Sequence, residues 1–162
     1  MALLWTYSEQ QEIKPISANN EPKWEQLAKE VQYSKLKDLI GADFHQDLIS
    51  NPTGTYNALL IAGGTYVKDG VTYTYAGLKT VLSFLFFERY IMEGDAQDTF
   101  AGFMQNDNEN ARHISFAQKK DIASNMRTLA RNHWNDCYGF VCENSAEFPY
   151  ASVKTSGKFY FI

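Results

Sequence analysis

The sequence predicts a mainly α protein. Its expected form is a bundle of four to five helices around a buried central helix (about 77–93) and a long C-terminal helix (about 115–142), with a β-hairpin (about 65–75) and extended terminal arms. Three observations carry this. Residues 78–92 are apolar on almost every side of a helix, and a helix without a polar face is buried. Residues 122–141 place apolar side chains at intervals of three and four. Between them, Asp69-Gly70 separates two β-branched, aromatic runs, the pattern of a two-residue hairpin turn.

Three segments follow: an extended arm at 1–20, a helical domain at 21–144 carrying the hairpin, and a C-terminal arm at 145–162. Residues 1–20 show no helical period and contain Pro15, Ser17, Asn19 and Asn20; Trp5 and Tyr7 alternate with Thr6 and Ser8 as in a short strand. A helix starts near Glu21-Pro22, with Pro early in the first turn. Its stripe is Trp24, Leu27, Ala28 and Val31, continuing through Leu36, Leu39 and Ile40 to a stop at Gly41. A second helix spans about Asp43 to Ile49, and a third Tyr56 to Ala62, separated by the turn cluster Asn51-Pro52-Thr53-Gly54.

The hairpin and central helix come next. Residues 94–111 read as a polar loop holding one helical turn around Phe100 and Phe103. The last helix carries the stripe Ile122, Met126, Leu129, Ala130, His133, Cys137 and Val141. Leu82, Leu85, Phe86, Met126, Leu129 and Trp134 are expected to share one core. The tail ends in Phe159, Tyr160, Phe161 and Ile162, an aromatic strand that needs a sheet edge to pair with, its own hairpin or a neighbouring chain.

Composition limits the function classes. The 162 residues suit one domain, and 44% hydrophobic against 21% charged excludes a disordered chain. No apolar run approaches the ~20 residues of a membrane span, and no charged n-region precedes Leu3-Leu4-Trp5, so neither a membrane anchor nor a signal peptide is expected. Cys137 and Cys142, five apart on one helix, point about 140° from each other. They are badly placed for a disulfide and fit reduced thiols in a reducing cytoplasm.

No catalytic or metal motif stands out. The sequence has no HExxH, no Gly-x-Ser-x-Gly and no phosphate loop ending in Lys-Ser or Lys-Thr. Cys137 and His133 are one turn apart, but on a buried stripe that lacks access and an oxyanion donor. His45, between Asp43 and Asp47, is the remaining candidate for a dispersed active site. The expectation is a protein that is not an enzyme, with no cofactor and no metal.

Charge is polarised. Residues 1–50 hold 5 basic and 8 acidic side chains, 51–111 hold 3 and 7, and 112–162 hold 7 and 4. Lys120, Arg127 and Arg131 fall within about 40° on a helical wheel, about 120° from the centre of the apolar stripe. Besides a solvated face, they fit contact with an acidic partner or a phosphate backbone. Tyr66, Lys68, Asp69, Gly70 and Tyr73 of the hairpin are candidate assembly contacts.

The order of features adds a family resemblance. Ile13-Lys14-Pro15-Ile16-Ser17 precedes a helix region ending in Leu36-Lys37-Asp38-Leu39-Ile40-Gly41, with Phe44 and Leu48 following. Then come Tyr56-Asn57-Ala58-Leu59-Leu60, the buried helix through Phe84–Tyr90, a polar loop, and a long helix with Asn132-His133-Trp134. This order resembles the small head–tail connector (adaptor, or head-completion) proteins of tailed phages and prophages.

The resemblance implies a helical bundle that forms a homo-oligomeric ring of about a dozen copies. Such a ring docks on the portal protein, meets the next tail or neck component, and continues the channel for passing double-stranded DNA without reading its sequence. Its place is the virion neck, assembled in the host cytoplasm. Two other readings stand beside it: a small intracellular protein-binding module with an acidic surface, and an enzyme with a dispersed site around His45.

Overall fold

Thr6 opens the first helix of the chain. Its hydroxyl accepts the Glu9 backbone N–H at 3.3 Å, and the Glu9 carboxylate accepts the Thr6 N–H at 2.7 Å. This reciprocal capping box starts α1 (Tyr7–Ile13). The expected extended arm at 1–20 is therefore helical in its middle. Seven residues show barely two turns of period, and the alternation of Trp5 and Tyr7 imitates a strand. In fact Trp5 is buried just ahead of the helix, its Nε1 donating to Gln10 Oε1 at 3.2 Å.

The computed structural model describes residues 3–16, 21–93, 97–99, 102–104 and 115–151. α2 (Glu21–Glu30) runs without a break into a π-helix (Val31–Leu36) and α3 (Lys37–Ile40). Gly41, at φ 91°, ends that rod where the sequence places its stop. α4 (Ala42–Ser50) and α5 (Thr55–Ala62) follow. β1 (Gly64–Lys68) and β2 (Val71–Tyr75) form the expected hairpin in antiparallel register, Tyr66 opposite Tyr73. Asp69 and Gly70 both have positive φ, 51° and 77°, as a type I′ turn requires.

α6 (Leu78–Glu93) is the central helix and lies along α7 (Phe116–Glu143). Leu78, Val81, Leu82 and Phe86 have no exposed surface. They meet Trp24 and Leu27 from α2 and Ala130, Cys137 and Val141 from α7 in one core. A second capping box, Ser115 with Gln118, starts α7. The molecule is mainly helical with the β1–β2 hairpin and a long C-terminal helix, as the sequence predicts. No helix among the described residues is long and apolar enough to cross a membrane.

Three local expectations change. Instead of a helical turn, β3 (Gln97–Thr99) pairs antiparallel with β4 (Gly102–Met104). Three-residue strands have too few positions to show a period, and Phe103 favours a strand. Leu129 is 38% exposed rather than in the core. The buried line of α7 runs through Ala123, Ala130, Trp134, Cys137 and Val141, and a neighbour of Ala130 points about 100° away from it.

The third concerns the C-terminal arm. After a 3-10 turn (Ser145–Glu147), Phe148 is buried against Phe44, Tyr56 and Phe140, so 145–151 folds onto the domain. The strand expected at Phe159, Tyr160, Phe161 and Ile162 lies outside the described residues.

Candidate functional site

The hairpin has two unlike faces. Strand alternation puts Tyr66, Lys68, Val71, Tyr73 and Tyr75 on one and Thr65, Val67, Thr72 and Thr74 on the other. The tyrosine face leans on α7. Tyr75 is buried, stacks on Phe140 at 4.8 Å and donates its hydroxyl to the Leu59 carbonyl at 3.2 Å. Burial pushes its phenol up to about 12. Tyr66 stacks on Tyr73 at 5.4 Å and reaches over Gly139 of α7, where a β-carbon would stand 2.0 Å from the Tyr66 hydroxyl. Burial, and then the Asp136 carboxylate, push the Tyr66 phenol above its ordinary value. Lys68 Nζ lies 3.9 Å from Glu143 Oε1.

Of the candidate contacts, Tyr66 is thus partly used inside the chain. Asp69 and Gly70 stand exposed at the tip, and Tyr73 is 44% exposed. The residue missed from the sequence is Val67, 61% exposed on the outer face, with Val71 at 53% beside the tip. Alternation assigns the faces, but only α7 decides which one turns inward. Among the described residues this sheet has two strands, and each has an open edge.

The basic trio of α7 divides. Lys120 lies over the Phe116 ring, 4.8 Å from its centroid, near the helix start. Arg127 and Arg131, one turn apart, line a cleft of about 300 Å³ between α7, α6 and the π-helix. Arg127 donates to Glu88 Oε1 from Nε at 2.9 Å and again from a terminal nitrogen. Glu88 is 5% exposed, and Lys35 Nζ lies 3.9 Å from the same Oε1. Glu88 Oε2 is covered and has no hydrogen-bond partner among the described residues. Removing Arg127 would leave the buried carboxylate with the Lys35 ammonium, at 3.9 Å, in place of two close hydrogen bonds. Leu39, Leu85 and Ala130 form the apolar part of the lining.

Neither Glu88 nor Lys35 has a local sequence signal for this pairing. The one hint is a carboxylate standing alone after Phe84-Leu85-Phe86-Phe87. One finding now fixes the family: a profile described as "Family of unknown function (DUF6712)" matches residues 36–159. The chain belongs to the DUF6712 family. No curated protein and no solved structure matches it. The DUF6712 match takes in the hairpin, α6, α7 and most of the cleft lining, and leaves out α1 and α2.

Within the DUF6712 region, His45 turns away from Asp43 and Asp47 into the core. It is buried, its Nε2 donates to the Gln32 carbonyl at 2.8 Å, and Tyr33 meets its ring edge-on at 5.7 Å. The helix sends sequence neighbours in different directions, so the acids flanking His45 do not form a site with it. Among the described residues, no group of three His, Cys, Asp or Glu side chains could hold a metal ion. Cys137 is buried and its thiol is pushed up to about 12 by that burial.

Proposed function

We propose that this DUF6712 chain is a head–tail connector subunit. In this reading, copies form a ring in the virion neck, dock on the portal protein and continue the DNA channel toward the next tail or neck component. The order of elements supports it. So does the polarised charge, acidic through residue 111 and basic beyond it. A closed ring of identical subunits has heterologous interfaces, so each subunit carries two different complementary faces.

The observation that carries the reading is the outer hairpin face. Val67 stands exposed on it and Val71 beside the tip, and among the described residues both strands of this sheet have an open edge, a surface suited to pairing with another chain. An isolated soluble monomer gains nothing from such a surface and risks aggregation through it.

Mass photometry and negative-stain imaging of the purified protein, alone and with the portal protein of the same phage genome, test this. Rings of about a dozen copies, or saturable binding to the portal, are expected from the resemblance. A monomer at every concentration that ignores the portal overturns the reading.

A further inference from the structure

Resting on that ring reading, we infer that the hairpins of successive copies join edge to edge, β2 of one subunit pairing antiparallel with β1 of the next. The turn sets the pattern. A two-residue turn at Asp69-Gly70 makes Lys68 and Val71 a hydrogen-bonded pair, and the register makes Tyr66 and Tyr73 another. The pairs between them, Val67 with Thr72 and Thr65 with Thr74, exchange no hydrogen bonds inside the hairpin. Their main-chain N–H and C=O groups point outward instead, from Thr65 and Val67 on one edge and from Thr72 and Thr74 on the other. All four residues are exposed, and among the described residues no third strand joins either edge.

The two edges fit each other. Laid antiparallel without offset, Thr72 faces Val67 of the next copy and Thr74 faces its Thr65, and each pair exchanges two hydrogen bonds. The same placement sets Tyr66 of that copy beside Tyr73, which is 44% exposed, and continues the Tyr66–Tyr73 stack across the junction. Val67, exposed on the opposite face, gains cover from Thr72.

Charge agrees as well. Lys68 of the next copy comes level with Val71, beside the tip where Asp69 is the carboxylate. Lys68 Nζ lies 3.9 Å from Glu143 Oε1, beyond hydrogen-bond length, so its donors can also serve Asp69 of the neighbour. An edge of β1 meeting an edge of β2 is a head-to-tail contact, as a closed ring requires, whereas β1 meeting β1 closes a two-fold dimer. Each copy adds only two strands, about 10 Å of width, so the hairpins meet at the inner rim of the ring, where subunits come closest.

Single cysteines test this, in a Cys142→Ser chain whose remaining thiol, Cys137, is buried. Directly opposed residues of an antiparallel pair have Cα atoms about 4.5–5.5 Å apart, within disulfide range. Val67→Cys and Thr72→Cys, made in separate chains, co-assembled and oxidised, are expected to give cross-linked dimers on a denaturing gel, and neither variant alone is. Val67→Pro gives a second measurement. It removes one outward N–H and spares the internal ladder, so circular dichroism should be unchanged while the concentration for half-assembly rises about tenfold or more. If wild type assembles while the mixed chains do not cross-link, or while Val67→Pro assembles equally well, this inference fails and the ring reading stands. Cross-linking of Val67→Cys to itself would mean two-fold pairing through β1, which also overturns it. A wild type that never assembles overturns both.

Discussion

His45 donates from Nε2 to the main-chain carbonyl of Gln32 at 2.8 Å, deep between α4 and the π-helix. A carbonyl only accepts, so Nε2 carries the hydrogen. Gln32 is tied a second time, because its side-chain Oε1 accepts the Leu4 N–H at 2.7 Å. One buried residue thus joins the N-terminal segment, the π-helix and α4. His45→Ala is expected to cost about 2–4 kcal/mol, through a cavity and a lost buried hydrogen bond. Urea titration measures it, and a loss under about 0.5 kcal/mol, the scale of a surface change, would remove His45 from the structural frame.

Gly139 sets two effects against each other. Alanine in a helix interior normally gains about 0.5–1 kcal/mol over glycine. Here the added carbon would sit 2.0 Å from the Tyr66 hydroxyl and 2.7 Å from the ring carbon that bears it. Overpacking costs about 1–3 kcal/mol and is expected to win. Gly139→Ala should therefore lower the urea midpoint, and Gly139→Ala with Tyr66→Ala should recover part of the loss relative to Tyr66→Ala alone. Additive effects of the two changes would mean that Tyr66 does not press on α7.

Stability should fall in acid through the contact between α1 and α6. Burial raises the pKa of Glu9, but hydrogen bonds from Lys79 and Thr6 and the Lys79 charge outweigh it, so the net pKa lies below the ordinary 4.5. A lowered native value means the contribution is complete above pH 4.5 and is lost as pH falls through the native value. Urea midpoints at pH 7, 5, 4 and 3 check this. Lys79→Met should flatten the acid part of the profile, and an unchanged profile would rule the contact out as its cause.

The two thiols should react very differently. Cys137 is buried with its thiol pushed up to about 12, so it holds almost no thiolate near neutrality. Cys142 is partly exposed. A thiol reagent at pH 8 should label one cysteine per native chain and two after denaturation. Rapid labelling of Cys137 in the native protein would show that α7 opens locally.

How much of this is legible in the sequence depends on range. The hairpin is, because Asp69-Gly70 needs positive φ and its neighbours do not. α6 is, because Leu78 to Met92 leaves no polar face to turn outward. α1 is hidden: a capping box at Thr6 and Glu9 signals it, but seven residues do not establish a period. Leu129 misleads because apolar identity alone cannot tell Ala130's direction from its own. At the cleft, Arg127 reads as an outward cation because its partner, Glu88, is 39 positions away. Asp43 and Asp47 draw attention to His45, yet the contact that holds it comes from Gln32.

The π-helix has a consequence for insertions and deletions. A π turn accommodates a residue beyond what regular α geometry would hold, at the expense of poorer hydrogen bonding. Trimming one residue from 31–36 would let the rod from Glu21 to Ile40 relax into continuous α-helix, a local improvement. Because the extra residue is taken up within the widened turn, the residues after it, Leu36 and Ile40 among them, would keep their place in the core. Elsewhere in the rod the same loss would rotate everything downstream by about 100°. The π turn is thus the one stretch of the rod where a single codon loss should be tolerated.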